Sequence, residues 1–110
     1  MTEMLLVFTT FAREEDAARV VRTLIEERLI ACANLLPAAR SLYRWKGAIE
    51  DTREVLTLMK TRKQDWSALV SRLHELHPYE TPECVAVRFA AGSPKYLAWL
   101  EAALEPEGTT

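Results

Sequence analysis

Apolar and polar residues follow two different periods along this chain, and the switches between them mark out the elements. Met4 to Phe8 is an unbroken apolar run of strand length. Such a strand is covered on both faces and lies in the interior of a sheet. Ala17, Val20, Val21, Leu24 and Ile25 then recur at three- and four-residue spacing, one face of a helix. Glu14, Glu15 and Asp16 crowd its start, where the positive end of the helix dipole favours them, and Arg28 lies near its end. Ile30 to Leu36 returns to strand character. Pro37 interrupts that strand and Ser41 to Trp45 resumes it, so it is expected at a sheet edge and bent. Lys46-Gly47 reads as a turn. A third strand spans about Ala48 to Lys60, polar at first and apolar through Val55 to Met59. The second and third strands thus form a long hairpin whose far half leaves the core.

Trp66, Leu69, Val70, Leu73 and Leu76 mark a second amphipathic helix, with Thr61 and Gln64 spaced as a capping box at its start. Cys84 to Phe89 is a fourth strand. Ser93-Pro94 is an N-cap and first-turn pair for a last helix carrying Tyr96, Leu97, Trp99, Leu100 and Leu104, and Glu105 to Thr110 is expected to be loose. The order strand–helix–strand occurs twice and ends in a helix. Right-handed crossovers of two such units interleave into one antiparallel sheet, a single α+β domain over residues 1–110 of the ferredoxin-like βαββαβ kind. The first and third strands take the centre and the second an edge. Leu42, Tyr43 and Trp45 near the hairpin tip would then be exposed beside an open strand edge. Edges of that sort are covered or paired, which predicts a homo-oligomer with the hairpin packed on a neighbour.

Composition narrows the function. With 110 residues and 49% hydrophobic content the chain is long and apolar enough for one real core. A formal charge of -2 argues against a nucleic-acid partner, and no apolar run reaches membrane-spanning length. The start, Met1-Thr2-Glu3-Met4, lacks a basic signal-peptide region, so a cytoplasmic location is expected. The two cysteines, Cys32 and Cys84, lie in apolar strand-like runs and read as small buried thiols. Glycines occur only at 47, 92 and 108, too few and too scattered for a phosphate-binding loop, and no catalytic constellation appears; the chain does not read as an enzyme.

The richest chemistry sits in His77-Pro78-Tyr79-Glu80-Thr81-Pro82-Glu83. Each proline fixes its own φ and pushes the residue before it towards extended geometry, so His77 and Thr81 are held out of the helical region. The plain alternative is a helix stop followed by strand entry. His77 is a candidate metal ligand, with His74 three residues earlier and Glu75, Glu80 and Glu83 nearby. Imidazole with carboxylate suits copper or zinc. The spacing is not that of a strong three- or four-ligand site, so weak binding by His77 and Glu80 is the expectation, with no essential cofactor. Arg44 and Lys46 at the hairpin tip, and Lys60, Arg62 and Lys63 after the third strand, read as a solvated face or as an anion site.

Two stretches together resemble a known family. Ala31-Cys32-Ala33-Asn34-Leu35-Leu36-Pro37 running on to Ser41-Leu42-Tyr43-Arg44-Trp45-Lys46-Gly47, together with the His77 to Glu83 segment, are similar to the CutA family of divalent-cation tolerance proteins. Lys60-Thr61 and Tyr96-Leu97-Ala98-Trp99-Leu100 fit as well, and the resemblance runs from about Leu5 to Leu104. It implies a ferredoxin-like subunit, a tight homotrimer built through the long hairpins, and a cytoplasmic protein tied to tolerance of copper and other divalent cations. The implied trimer is similar to that of the PII signalling proteins, which bind small ligands in subunit clefts; a PII-like signalling or structural trimer acting through protein partners is the alternative. The copper positions that the resemblance implies are here Thr9, Leu76 and His77, of which only His77 carries a metal-binding side chain. A small anionic or polar ligand is expected in an intersubunit cleft near Trp45, Lys60, Tyr79 and Glu83.

Overall fold

Eight-residue pairing between the first and third strands gives the sheet its axis. The computed structural model describes residues 2–106. Strand β1 (Met4–Phe11) runs antiparallel to β3 (Ala48–Arg62), from Met4 opposite Arg62 to Phe11 opposite Val55. Outside them lie β2 (Cys32–Trp45) and β4 (Val85–Arg88), giving the order β2-β3-β1-β4. The first strand is longer than its apolar run because alternation outlasts it: Leu5, Val7, Thr9 and Phe11 all point inward. Helices α1 (Glu14–Glu26) and α2 (Trp66–Leu76) cover that inward face, where Val20, Leu24, Leu69 and Leu73 pack against Val7, Phe11, Val55 and Met59. Helix α1 ends in a left-handed Arg28 (φ 62), with Leu29 N–H donating to the Leu24 carbonyl and Arg28 N–H to that of Ile25.

The opposite sheet face is only partly covered. Helix α3 (Pro94–Leu104) buries Leu100 and Leu104 against Met4 and Ala31 at one end. Arg62 locks that corner, its guanidinium donating to Asp65 at 2.8 Å and Glu105 at 2.7 Å. Glu105 is therefore pinned rather than loose; the rest of the expected tail, from residue 107, lies outside the described residues. Beyond α3 the face stays open, with Leu36, Val85 and Val87 exposed beside half-buried Leu6, Phe8 and Leu58. The chain itself thus covers β1 on one face along its whole length, and on the other only at one end.

Several local expectations change. Thr61 does not cap α2: it is buried, and its hydroxyl donates to the Leu29 carbonyl at 2.7 Å. A short 3-10 turn (Lys63–Asp65) starts the helix instead, without a side-chain cap. Ser93 precedes Pro94 in extended geometry as expected, yet its side chain makes no cap bond. Cys84 falls just outside β4, and both cysteines are free and only partly buried. Burial pushes the Cys84 thiol upward, with the Glu83 carboxylate adding to it.

The hairpin keeps its predicted form and stretches the molecule to 52 Å along its longest axis. Lys46 (φ 48) and Gly47 (φ 80) supply the two left-handed residues that a two-residue turn of the I′ kind demands. Pro37 does not end β2; the strand passes through it with a bulge, Leu36 pairing with Leu56 and Ala39 with Glu54. Ala38 within the bulge has φ 60, a region that disfavours a Cβ. Ala38→Gly should therefore stabilise the protein by about 0.5–1 kcal/mol despite the greater freedom of an unfolded glycine. Urea denaturation of the two forms checks this; an unchanged or lower midpoint would mean the left-handed geometry is unstrained.

Candidate functional site

The stiff segment after α2 builds its site by turning His77 inward. Pro78 denies His77 the helical region, and His77 sits at φ -73, ψ 133 as the C-cap of α2. Its ring is buried and stacked on Phe11, with centroids 4.2 Å apart and planes within 10°. Both nitrogens are engaged. Nε2–H donates to the Thr10 carbonyl at 2.8 Å, and Nδ1 accepts the Tyr79 N–H at 3.0 Å. These partners fix the neutral tautomer, and burial holds the His77 pKa below its ordinary value, against the weaker upward pull of the Thr10 bond.

His77 in turn fixes Tyr79, whose ring tilts against it at 4.8 Å. The phenol reaches across to β3 and donates to Glu54 Oε2 at 2.6 Å. Glu54 is itself buried, opposite Ala39 at the bulge. Burial first, and the Glu54 carboxylate second, drive the Tyr79 pKa strongly upward, so the phenol stays a donor. A cleft of about 670 Å³ opens over this pair. The hairpin residues Arg40, Tyr43 and Trp45 wall one side, Glu80 and Glu83 rim the other, and Thr10 lies between. Arg40 is tied to Asp51 through two nitrogens, at 2.9 and 2.7 Å.

The expected ligand residues divide. Trp45, Tyr79, Glu80 and Glu83 share the cleft. Lys60 does not: it lies in register with Leu6 and Cys32, and its ammonium donates to the Tyr96 hydroxyl at 2.8 Å. That bond raises the Lys60 pKa. His77, the expected metal ligand, has both ring nitrogens hydrogen-bonded within the chain. Its lone pair is spent on the Tyr79 amide and its ring lies behind the cleft, outside the lining. Thr9 is fully buried beneath the helices and Leu76 packs on the core, so these positions form no surface site with His77. Among the described residues no group of three His, Cys, Asp or Glu side chains is arranged to hold a metal ion. Glu54, Thr10 and Arg40 are among the cleft residues that sequence reasoning missed. Glu54 had a signal: it is an acid abutting the apolar half of a central strand, two residues before Leu56.

Comparison with known proteins agrees with this architecture. The profile of the CutA1 divalent ion tolerance protein family matches residues 5–103. The divalent-cation tolerance protein CutA of Pyrococcus horikoshii is 45% identical over 97 residues, covering 88% of this chain and 94% of that protein. The crystal structure of CutA from Xylella fastidiosa superposes with a TM-score of 0.89 at 41% identity, over 93% of this chain and 98% of its own. The structure of the periplasmic divalent cation tolerance protein CutA from Archaeoglobus fulgidus also gives 0.89, at 28% identity, over 93% of this chain and 99% of its own.

Two measurements test the His77–Tyr79–Glu54 chain. A histidine buried neutral, with its pKa below the ordinary 6.5, binds fewer protons folded than unfolded. Its contribution to stability is therefore complete above pH 6.5 and is lost as pH falls from there towards the lowered folded value. Urea midpoints across that window should fall with acid in the parent and fall less in His77→Gln. Tyr79→Phe should cost about 1–3 kcal/mol, because it strands the buried Glu54 carboxylate; an unaltered midpoint would show that water replaces the phenol there.

Proposed function

The chain belongs to the CutA1 divalent ion tolerance family, and from that premise we propose a non-catalytic homotrimer that binds a small ligand in the cleft over Tyr79 and Glu54. The carrying observation is the cleft itself: a concave site of ligand size whose floor is a buried, hydrogen-bonded acid and phenol. The imidazole beside it, His77, is turned away with both ring nitrogens hydrogen-bonded.

Self-association is supported by the open half of the sheet. Leu36, Val85 and Val87 are 42%, 55% and 48% exposed, and Leu42 and Ile49 on the hairpin are 61% and 69% exposed. Apolar surface of this extent, flanked by the outer edges of β2 and β4, favours burial by further copies of the chain. A link to copper or zinc runs through Glu80 and Glu83, since His77 has no lone pair to give in this conformation. Exposed carboxylates alone hold such borderline metals weakly. Both cysteines are free thiols, which suits a reducing, cytoplasmic setting.

Native mass spectrometry at micromolar concentration should give a trimer, and Val87→Asp should shift it towards monomer; a monomeric parent protein would overturn the assembly. Calorimetric titration with copper(II) and zinc(II) separates the metal candidates. Glu80→Gln with Glu83→Gln should weaken whatever binding the parent shows, whereas His77→Ala should leave the isotherm alone.

A further inference from the structure

The charge of the cleft and the character of its walls define what it takes; the inference rests on the cleft being the ligand site. Three carboxylates line it, Glu54, Glu80 and Glu83. Arg40 is the one cationic side chain in that lining, and its guanidinium is already matched, nitrogen for oxygen, by Asp51. An anion entering the cleft would meet carboxylates and find no uncommitted positive charge. Glu54 accepts one bond, from Tyr79, and a carboxylate has lone pairs for more.

Aromatic walls complete the picture. The register of the hairpin sets Tyr43 opposite Glu50 and Trp45 opposite Ala48, on the same side of the ladder as Glu54 opposite Ala39. Trp45 already carries a cation: the Lys46 ammonium lies 5.7 Å from its ring centroid. Aromatic faces beside carboxylates stabilise organic ammonium groups, by ring quadrupole and by charge together. A hydrated inorganic cation makes little use of such walls, and an anion is repelled by both.

We propose that the cleft binds a small organic cation, an alkyl- or arylammonium, with its head group towards Glu54, Glu80 and Glu83 and its apolar body against Tyr43 and Trp45. Three phenyl-bearing probes of different charge test this on the whole chain: benzyltrimethylammonium, benzyl alcohol and benzoate. Calorimetry gives the affinity, and the Trp45 indole N–H resonance, assigned through Trp45→Phe, gives the location. The cation should bind about tenfold tighter than the alcohol, and benzoate should not saturate. Glu83→Gln, at an exposed position, should weaken the cation several-fold without changing the assembly mass, and Trp45→Leu should weaken it several-fold as well. Benzoate binding as tightly as the cation, or cation binding indifferent to both variants, overturns the proposal while leaving a ligand cleft in place. Zinc(II) shifting the Trp45 resonance where benzyltrimethylammonium does not would reassign the site to an inorganic cation. If no probe and no zinc(II) moves that resonance, the ligand-cleft reading falls with it.

Discussion

β1 and β3 pair without a break from Met4–Arg62 to Phe11–Val55, and the two faces of that ladder meet different surroundings. On one face α1 and α2 close over Val7, Phe11, Val55 and Met59 and leave them dry. On the other, the same strands present Leu6, Phe8, Leu56 and Leu58 to a surface that α3 reaches only at the Met4–Arg62 end. One hydrogen-bonded ladder therefore dictates a fold that its own chain cannot finish. The apolar surface left over is edged by two outer strands, so the core of the subunit and the proposed assembly would share one origin.

The same ladder carries the site. Thr10, near the end of β1, offers its carbonyl to His77, and Glu54, on β3, takes the Tyr79 phenol. Between these two anchors the Pro78 geometry leaves the segment little freedom. His77 is thus a positioning residue. Its ring fills the space against Phe11, its Nδ1 holds the Tyr79 amide, and the phenol is delivered to the cleft floor. The prolines alone would set backbone direction; the imidazole sets where the next aromatic ring lies.

Much of this was legible in sequence, because period and punctuation are local. The apolar run at Met4, the helical spacing from Ala17 to Ile25 and the Lys46-Gly47 turn each report structure through neighbouring residues, as does the edge position announced by Pro37. What sequence could not report were contacts across long chain separations. Thr61 looks like a cap until Leu29 is brought beside it, Lys60 looks like a cleft residue until Tyr96 takes its ammonium, and His77 looks like a metal ligand until Thr10 and Tyr79 occupy it. Thr61, Lys60 and Nε2 of His77 were each claimed by a partner tens of residues away, while Nδ1 of His77 went to Tyr79, two residues on. The family resemblance singled out the His77 to Glu83 segment, but which of its atoms face the cleft depends on these partners.

The bulge at Pro37-Ala38 acts as a parity switch. Before it, Cys32, Asn34 and Leu36 stand on the same side as Lys60, Leu58 and Leu56; after it, the odd-numbered Ala39, Ser41, Tyr43 and Trp45 take that side with Glu54. Taking up the extra residue as a bulge is what lets two aromatic rings join an acid instead of pointing away from it. Were the strand to run straight through Pro37-Ala38 without bulging, Leu42 and Arg44 would stand on that side in place of the two rings. The make-up of this surface is thus set by one backbone irregularity as much as by the identity of any residue on it.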